Sequence, residues 1–222
     1  MKVAVIGGGA AGFFAAISVK EHHPDAEVEI FEKTSKLLAK VKISGGGRCN
    51  VTHACFNNPA LLKHYPRGAK QLKKTFNQFT TSDTVEWFQS RGVELKTEAD
   101  NRMFPVSNSS QSIIDLLLHE TRRLEIKLRM GSAITHIRKI GDYIQLSFGN
   151  SEQLFNKVII ASGGSPKVEG FNWLSVLGHE ITEPVPSLFT FNMPKETVKK
   201  LMGVTIPLAT VKVVGTKLEQ SG

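Results

Sequence analysis

The chain has 222 residues, 41% of them apolar, enough for one large domain or for one domain and part of another. No apolar run reaches bilayer-spanning length, and Met1-Lys2 leads straight into the first apolar segment without room for a secretory leader, so a cytoplasmic, non-membrane protein is expected. The formal net charge of +8 raises nucleic acid as a partner, but the basic residues are dispersed and the Lys70–Lys74 run reads as a solvated helix face, so charge alone does not favour nucleic-acid binding.

Val3-Ala4-Val5-Ile6 has the character of a buried parallel strand, and Phe13-Phe14-Ala15-Ala16-Ile17-Ser18-Val19 that of a helix rich in small and apolar residues. Between them lies Gly7-Gly8-Gly9-Ala10-Ala11-Gly12. A glycine triplet of this spacing between strand and helix is the fingerprint of a dinucleotide-binding turn. Gly7 permits the sharp turn, Gly9 lets backbone approach a pyrophosphate, and Gly12 lets the helix pack on the sheet. The free amides of the helix start, at Ala10 and Ala11, then face the phosphates. A second strand, Val28–Phe31, ends at Glu32, twenty residues after Gly12. An acid there accepts hydrogen bonds from an unphosphorylated ribose, as in FAD or NAD. Lys33 beside it is a further contact candidate.

Residues 33–58 show no clear periodicity yet carry the densest chemistry, Lys40-Val41-Lys42-Ile43-Ser44-Gly45-Gly46-Gly47-Arg48-Cys49-Asn50. Three successive glycines free the backbone to approach a ligand, and Lys42, Ser44, Arg48 and Asn50 add charge and hydrogen-bonding groups. A flexible basic surface loop is the competing reading. Cys49 and Cys55 are the only cysteines, are not spaced as metal ligands and are expected reduced; the seven histidines are scattered, and no metal site is expected.

Residues 59–91 read as helical, with Leu72, Phe76 and Phe79, then Val85, Trp87 and Phe88, as core. Gly92 ends that helix and Val93–Leu95 is a short strand. A loop or extended piece follows at Asn101–Ser107, then a helix from Ser109 or Ser110 bearing Ile113, Ile114, Leu116, Leu117 and Leu118, then a strand at Ile126–Leu128. From Ser132 to Ile160 the pattern is antiparallel: Ala133–Ile137, a turn at Gly141-Asp142, Tyr143–Phe148, a turn at Gly149-Asn150. Lys157–Ala161 is a buried strand running into Ser162-Gly163-Gly164-Ser165-Pro166, a second strand-then-glycine junction. A short helical piece and a proline-marked exit follow in 167–188. Phe189-Thr190-Phe191, Val204-Thr205-Ile206 and Thr210–Val214 open a β-rich segment.

The chain resembles the HI0933-like flavoproteins, also called the BaiN or YhiN group, within the glutathione-reductase-type FAD-binding superfamily. The match rests on Gly7–Gly12 with Glu32, on Lys42–Asn50, on Arg102-Met103-Phe104-Pro105-Val106-Ser107, and on Ala161–Pro166 with Gly178-His179 and Pro186-Ser187-Leu188 beyond. It covers essentially the whole chain, and Ser44–Asn50 is its most specific part. The resemblance implies an α/β fold: a Rossmann-like FAD/NAD(P)-binding domain with a parallel sheet and an antiparallel β-meander, residues 1–188, and the start of a β-barrel-like insert domain, residues 189–222. It implies a non-covalently bound FAD, with NAD(P)H as a candidate electron donor, and an oxidoreductase acting on a small-molecule substrate. Gly7, Gly9 and Gly12 would meet the pyrophosphate and Glu32 the adenosine ribose. Lys42, Ser44, Gly45, Gly47, Arg48, Cys49 and Asn50 would run along the cofactor towards the flavin. Ile134 would lie near the adenine through its backbone, and Ala161, Ser162 and Gly163 would pack on the cofactor from the other side. Family members are nearly twice as long and return to finish the FAD domain after their inserts, so the chain reads as an amino-terminal part that a carboxyl-terminal half would complete. Three other functions stand beside this one: a disulfide reductase using Cys49 and Cys55, a non-catalytic nucleotide-binding module, and an RNA-modifying flavoenzyme.

Overall fold

The computed structural model describes residues 1–165, 167–185, 192–201, 204 and 209–221. In chain order the elements are β1 (Lys2–Ile6), α1 (Ala10–His22), β2 (Glu27–Phe31), α2 (Ala39–Gly47), β3 (Thr52–His53), α3 (Asn58–Lys63), α4 (Ala69–Thr75), α5 (Thr81–Gln89), β4 (Leu95–Thr97), β5 (Arg102–Pro105) and α6 (Ser110–Arg123). There follow β6 (Lys127–Arg129), β7 (Ile134–Ile140), β8 (Tyr143–Phe148), β9 (Ser151–Phe155), β10 (Lys157–Ile160), α7 (Asn172–Ser175), β11 (Thr210–Lys212) and β12 (Glu219–Ser221). The chain divides into two units, Met1–Pro184 and Val185–Gly222.

The first unit is the expected α/β fold. Its central sheet is wholly parallel, in the order β10-β1-β2-β6. Because side chains alternate across a strand, β1 and β2 feed two cores. Val3, Val5, Val28 and Ile30 face α1 and α6, where Phe13, Ile17, Ile113 and Leu117 are buried. Ala4, Ile6 and Phe31 face the antiparallel meander β7-β8-β9, which contributes Ile137, Leu146 and Phe155. Phe31 sets its ring 4.9 Å from Phe148 and 5.7 Å from Phe155. A small antiparallel sheet, β3-β5-β4, carries the Arg102–Pro105 stretch.

Several expectations change. The stretch 33–58, expected without regular structure, contains α2. The antiparallel pattern ends at Phe155: β10 pairs parallel with β1, as the outer strand among the described residues. It is also not buried, since Ile160 is 37% exposed. Phe79, expected in the core, is 36% exposed. Helices α3, α4 and α5 break up the 59–91 stretch, with Thr80 and Asp83 capping α5 reciprocally. Pro166, Pro186-Ser187-Leu188, Phe189-Thr190-Phe191 and Thr205-Ile206 lie outside the described residues. In the second unit β11 pairs with β12 as an antiparallel hairpin, a partner the sequence reading did not supply.

Glu29 on β2 points into the meander side of the sheet and is almost wholly buried. Arg129 on β6 donates to it at 2.9 Å and Gln153 on β9 at 3.3 Å. The carboxylate thereby ties the parallel sheet to the meander. Removing its cation strands a buried charge, which is costlier than removing the pair. Arg129→Met should lower stability by about 3 kcal/mol in urea unfolding, and the double variant Glu29→Gln/Arg129→Met should recover much of it.

Candidate functional site

The carboxyl ends of β1, β2 and β10 converge on the glycine loop. Gly7 donates its amide to the Phe31 carbonyl at 2.8 Å and adopts φ +117°. A Cβ there would lie 2.3 Å from the Ala161 carbonyl oxygen, so only glycine fits between β1 and β10. At Gly12 a Cβ would stand 1.9 Å from the Gly7 carbonyl oxygen, so the helix can sit this close to its own turn only without a side chain. Gly9 is different: nothing lies within 4 Å of where its Cβ would be. That open space fronts the α1 amino terminus, whose cap supplies no side-chain hydrogen bond and whose first turn has no acid. The first-turn amides of Ala10, Ala11 and Gly12 have no partner within the helix and carry its positive dipole end. An anion fits there.

A cleft of about 320 Å3 opens beside this loop, between Gly7, Glu32, Ile134, Gly163, Phe171 and Trp173. Lys33 and Ser162 also line it. Glu32 is held rigidly. One carboxylate oxygen accepts the Gly8 amide at 3.0 Å, and the other accepts the amide and hydroxyl of Thr34, both at 2.8 Å. Burial alone would raise its pKa, but these hydrogen bonds and the Lys33 charge together hold it below the ordinary 4.5. Ile134 sits where the register of β7 against β8 shifts. Ala161 lies behind, its amide bonded to the Ile6 carbonyl at 2.8 Å.

A second cleft, of about 480 Å3, reaches the same loop at Ala10 and Ala11 and runs over Phe14, Lys40, Ser44, Cys49, Asn50 and Phe79. Helix α2 builds its floor. It is helical to Ile43 and breaks at Ser44, with Gly45 and Gly46 left-handed. A Cβ on Gly45 would lie 2.8 Å from both the Asn50 amide and the Phe104 ring, so the return of the chain demands glycine. Cys49 is itself left-handed, at φ 62°, and buried; its amide bonds the Ser44 carbonyl at 3.0 Å. Burial raises the Cys49 thiol pKa against an opposing hydrogen bond with Ser44, so the group stays protonated.

Some expected residues stand elsewhere. Arg48 turns its guanidinium to Glu98, at 2.5 Å, and stacks it 4.0 Å over the Phe104 ring. Lys42 is exposed, and its carbonyl accepts the Ser110 hydroxyl at 2.9 Å. Neither residue lines either of the two clefts, and nor do Gly9, Gly12, Gly45, Gly47 or Ala161. Of the residues outside the expected set that do, four bear on ligand chemistry: Lys40, Phe79, Phe171 and Trp173. Lys40 lines the second cleft, and its Nζ lies 3.9 Å from the Cβ position of Gly163. Phe79 joins the same cleft, 5.3 Å from Phe14. Phe171 and Trp173 wall the first. Recognising α2 would have found Lys40, since Lys40 and Ser44 share a face at i,i+4. The other three depend on chain reversals without a local signal.

The first cleft combines the Glu32 carboxylate with the backbone of Gly7, Gly163 and Gly164 at the strand ends, a set that takes a nucleoside phosphate. The second offers apolar and aromatic walls with a hydroxyl, an amide and a cation, which suits a planar ring system. Among the described residues no three histidines, cysteines or acids gather as a metal site. Among them, too, no helix is long and apolar enough to cross a membrane.

Comparison with known proteins agrees with this geometry. The family model described as the HI0933-like protein Rossmann domain matches residues 1–217. The chain is 26% identical over 223 residues to the 3-dehydro-bile acid delta(4,6)-reductase of Clostridium scindens, covering 98% of this chain and 54% of that protein. It is 24% identical over 226 residues to the ribosomal RNA dihydrouridine synthase of Escherichia coli, covering 98% and 55%. The chain thus spans about half the length of the curated relatives it matches. Among solved structures, the FrdA chain of Escherichia coli quinol fumarate reductase shares the fold, with a TM-score of 0.54 at 13% identity over 76% of this chain and 34% of that one.

Because the folded-state pKa of Glu32 is depressed, its contribution to stability is fully present above its ordinary value of 4.5 and is lost as pH falls through the lower folded value. Thermal unfolding of Glu32→Gln should therefore depend less on pH than that of the wild type as the pH falls below 4.5. Equal acid sensitivity in the two proteins would show that the carboxylate is not the anchor of the Gly8–Thr34 turn.

Proposed function

The chain belongs to the HI0933-like Rossmann-domain family, and on that premise we propose that it forms the cofactor-binding part of an FAD-dependent oxidoreductase. One observation carries the proposal: two clefts of different chemistry border a single glycine loop, one at Gly7 and the other at Ala10 and Ala11. A dinucleotide with one nucleoside end and one broad ring end matches that pair. The steric shape of the loop matches too. The space in front of Gly9 and the free amides of Ala10, Ala11 and Gly12 accept a pyrophosphate, while Gly7 and Gly12 are closed to any side chain.

On this reading residues 1–188 form the FAD-binding domain and 189–222 begin a β-rich insert. Gly7, Gly9 and Gly12 adjoin the pyrophosphate, Glu32 accepts from the adenosine ribose with Lys33 at its edge, and Ile134, Ala161, Ser162 and Gly163 flank that half. Ser44, Gly45, Cys49 and Asn50 shape the other half, and Lys40, on the second cleft and close to Gly163 of the first, brings a cation towards both. Lys42, Gly47 and Arg48 lie on the same return, with Arg48 paired to Glu98 and the Lys42 carbonyl to Ser110. FAD, when bound, supplies hydride chemistry between a reduced nicotinamide or another organic donor and an acceptor. The protein's part is to orient the ring system, exclude water through Phe14 and Phe79, and set the charge near it. On this reading the substrate is a small molecule, and the name of one relative, a bile acid reductase, favours reduction of an unsaturated one. Free cysteines suit the cytoplasm. The half-exposed outer strand β10, with Val158 and Ile159 in a groove against Val3 and Val19, suits docking of a further polypeptide that completes the domain.

Two other readings have less support. A disulfide reductase needs a thiol pair at the ring site, but Cys55 lines neither cleft, and burial pushes the Cys49 thiol pKa up. Action on RNA is favoured by the net charge of +8 and by one relative's name. RNA binding that falls steeply with salt would favour it; no binding at low salt would eliminate it.

The test is an absorbance spectrum of the purified chain after adding FAD and desalting. A retained flavin band, followed by NADH oxidation, is the expected result. A folded chain by circular dichroism that retains no flavin would overturn cofactor binding by this chain on its own. Lys40→Met should weaken FAD binding by about ten- to a hundredfold, as loss of a charged partner to phosphate implies. Cys55→Ser should leave flavin reduction intact, whereas complete loss of turnover would favour the redox-pair reading.

A further inference from the structure

We propose that Trp173 provides the stacking surface for the adenine ring, with Phe171 extending the same wall. This rests on the reading of the Gly7–Glu32 cleft as an adenine-dinucleotide site and assigns the recognition of its base. Glu32 and the glycine amides account for ribose and phosphate, but a purine also needs flat apolar contact on its faces. The cleft supplies it from two directions: Ile134 on β7, and Phe171 and Trp173 on the segment after β10.

That segment is folded to present the indole. The Ser165 hydroxyl donates to the Lys167 carbonyl at 2.9 Å and accepts the Lys167 amide at 3.3 Å. The Gly170 amide then bonds the Lys167 carbonyl at 3.2 Å. Gly170 has no room for a side chain, because a Cβ would lie 2.2 Å from the Ser165 hydroxyl oxygen. The Trp173 indole N–H donates to the Gly170 carbonyl at 3.1 Å. Its polar atom is thus satisfied within the segment, and its ring needs no further hydrogen bond from a ligand. Trp173 also packs against the apolar layer that includes Ile6, Phe31 and Leu146, so it is braced by the core. A braced aromatic face beside an acid that accepts from a ribose is the geometry that base stacking requires.

The chain has two tryptophans, so Trp87→Phe leaves Trp173 as the only indole. Titrating that variant with AMP should quench its emission saturably, and ribose 5-phosphate, which lacks the base, should not. By calorimetry Trp173→Ala should bind AMP and FAD about five- to 150-fold more weakly, the range found for loss of one base–aromatic stack. Trp173→Phe should stay within about threefold of the wild type. Unchanged AMP affinity in Trp173→Ala overturns the proposal whatever the emission does, and leaves the dinucleotide reading standing. Equal quenching by ribose 5-phosphate also overturns it. If neither AMP nor FAD binds the wild-type chain, the dinucleotide reading falls and takes this proposal with it. Should Trp87→Phe fail to fold, the calorimetry of the two Trp173 variants decides the question alone.

Discussion

The contact on which the rest of this structure depends is the approach of α1 to the carbonyl of Gly7. At Gly12 even a methyl group would stand 1.9 Å from that oxygen, and at Gly7 one would stand 2.3 Å from the Ala161 carbonyl. Strand β1, helix α1 and the end of β10 are thus pressed into one junction that excludes side chains. The consequence is chemical as well as steric. The helix begins at the level of the strand ends, so its first amides emerge where the loops after β2 and β10 also emerge. Every group assigned to the nucleotide half converges on that point.

The two faces of the parallel sheet divide the labour. The helical face, packed by Val3, Val5, Phe13, Ile17 and the inward row of α6, is mainly apolar and holds the larger of the two cores. The meander face is smaller and is fastened by a charge: buried Glu29 receives Arg129 and Gln153. That face carries Ile134 to the nucleotide cleft, so the position of β7 depends on how firmly the meander is held. On the opposite flank α2 does the equivalent work. Its break at Ser44 and the tight return through Gly45 bring Cys49 and Asn50 under the second cleft. The Arg48–Glu98 pair and the Phe104 ring clamp that return from outside.

Local chemistry made much of this legible. A glycine triplet between an apolar strand and a helix can do little else, and an acid at the end of the next strand has a matching reach. Ser109 caps α6 as its position before an amphipathic run suggests, its hydroxyl accepting the Gln111 amide. The meander announced itself by alternation and by Gly141 and Gly149 at its turns. Helix α2 was harder to see, because only Leu38 and Val41 face inward over so short a span. Glycines at 45–47 then ended the helical pattern before a full period could register. The parallel partner of β10 was equally hidden, since a four-residue apolar strand reads alike in either orientation.

The sequence by itself determined the opening strand–helix–strand unit, its glycine turn, the acid after β2, the meander and the glycine-rich return before Asn50. Each is set by backbone freedom or by periodicity over a few neighbouring residues, and such information is local. Only the tertiary structure decided which cations and aromatics reach the clefts. It turned Arg48 towards Glu98, fifty positions away, and brought Lys40 to Gly163 and Trp173 to Ile134. Side-chain partners so distant in sequence are selected by packing and by charge pairing across the fold. No window of neighbouring residues contains that choice.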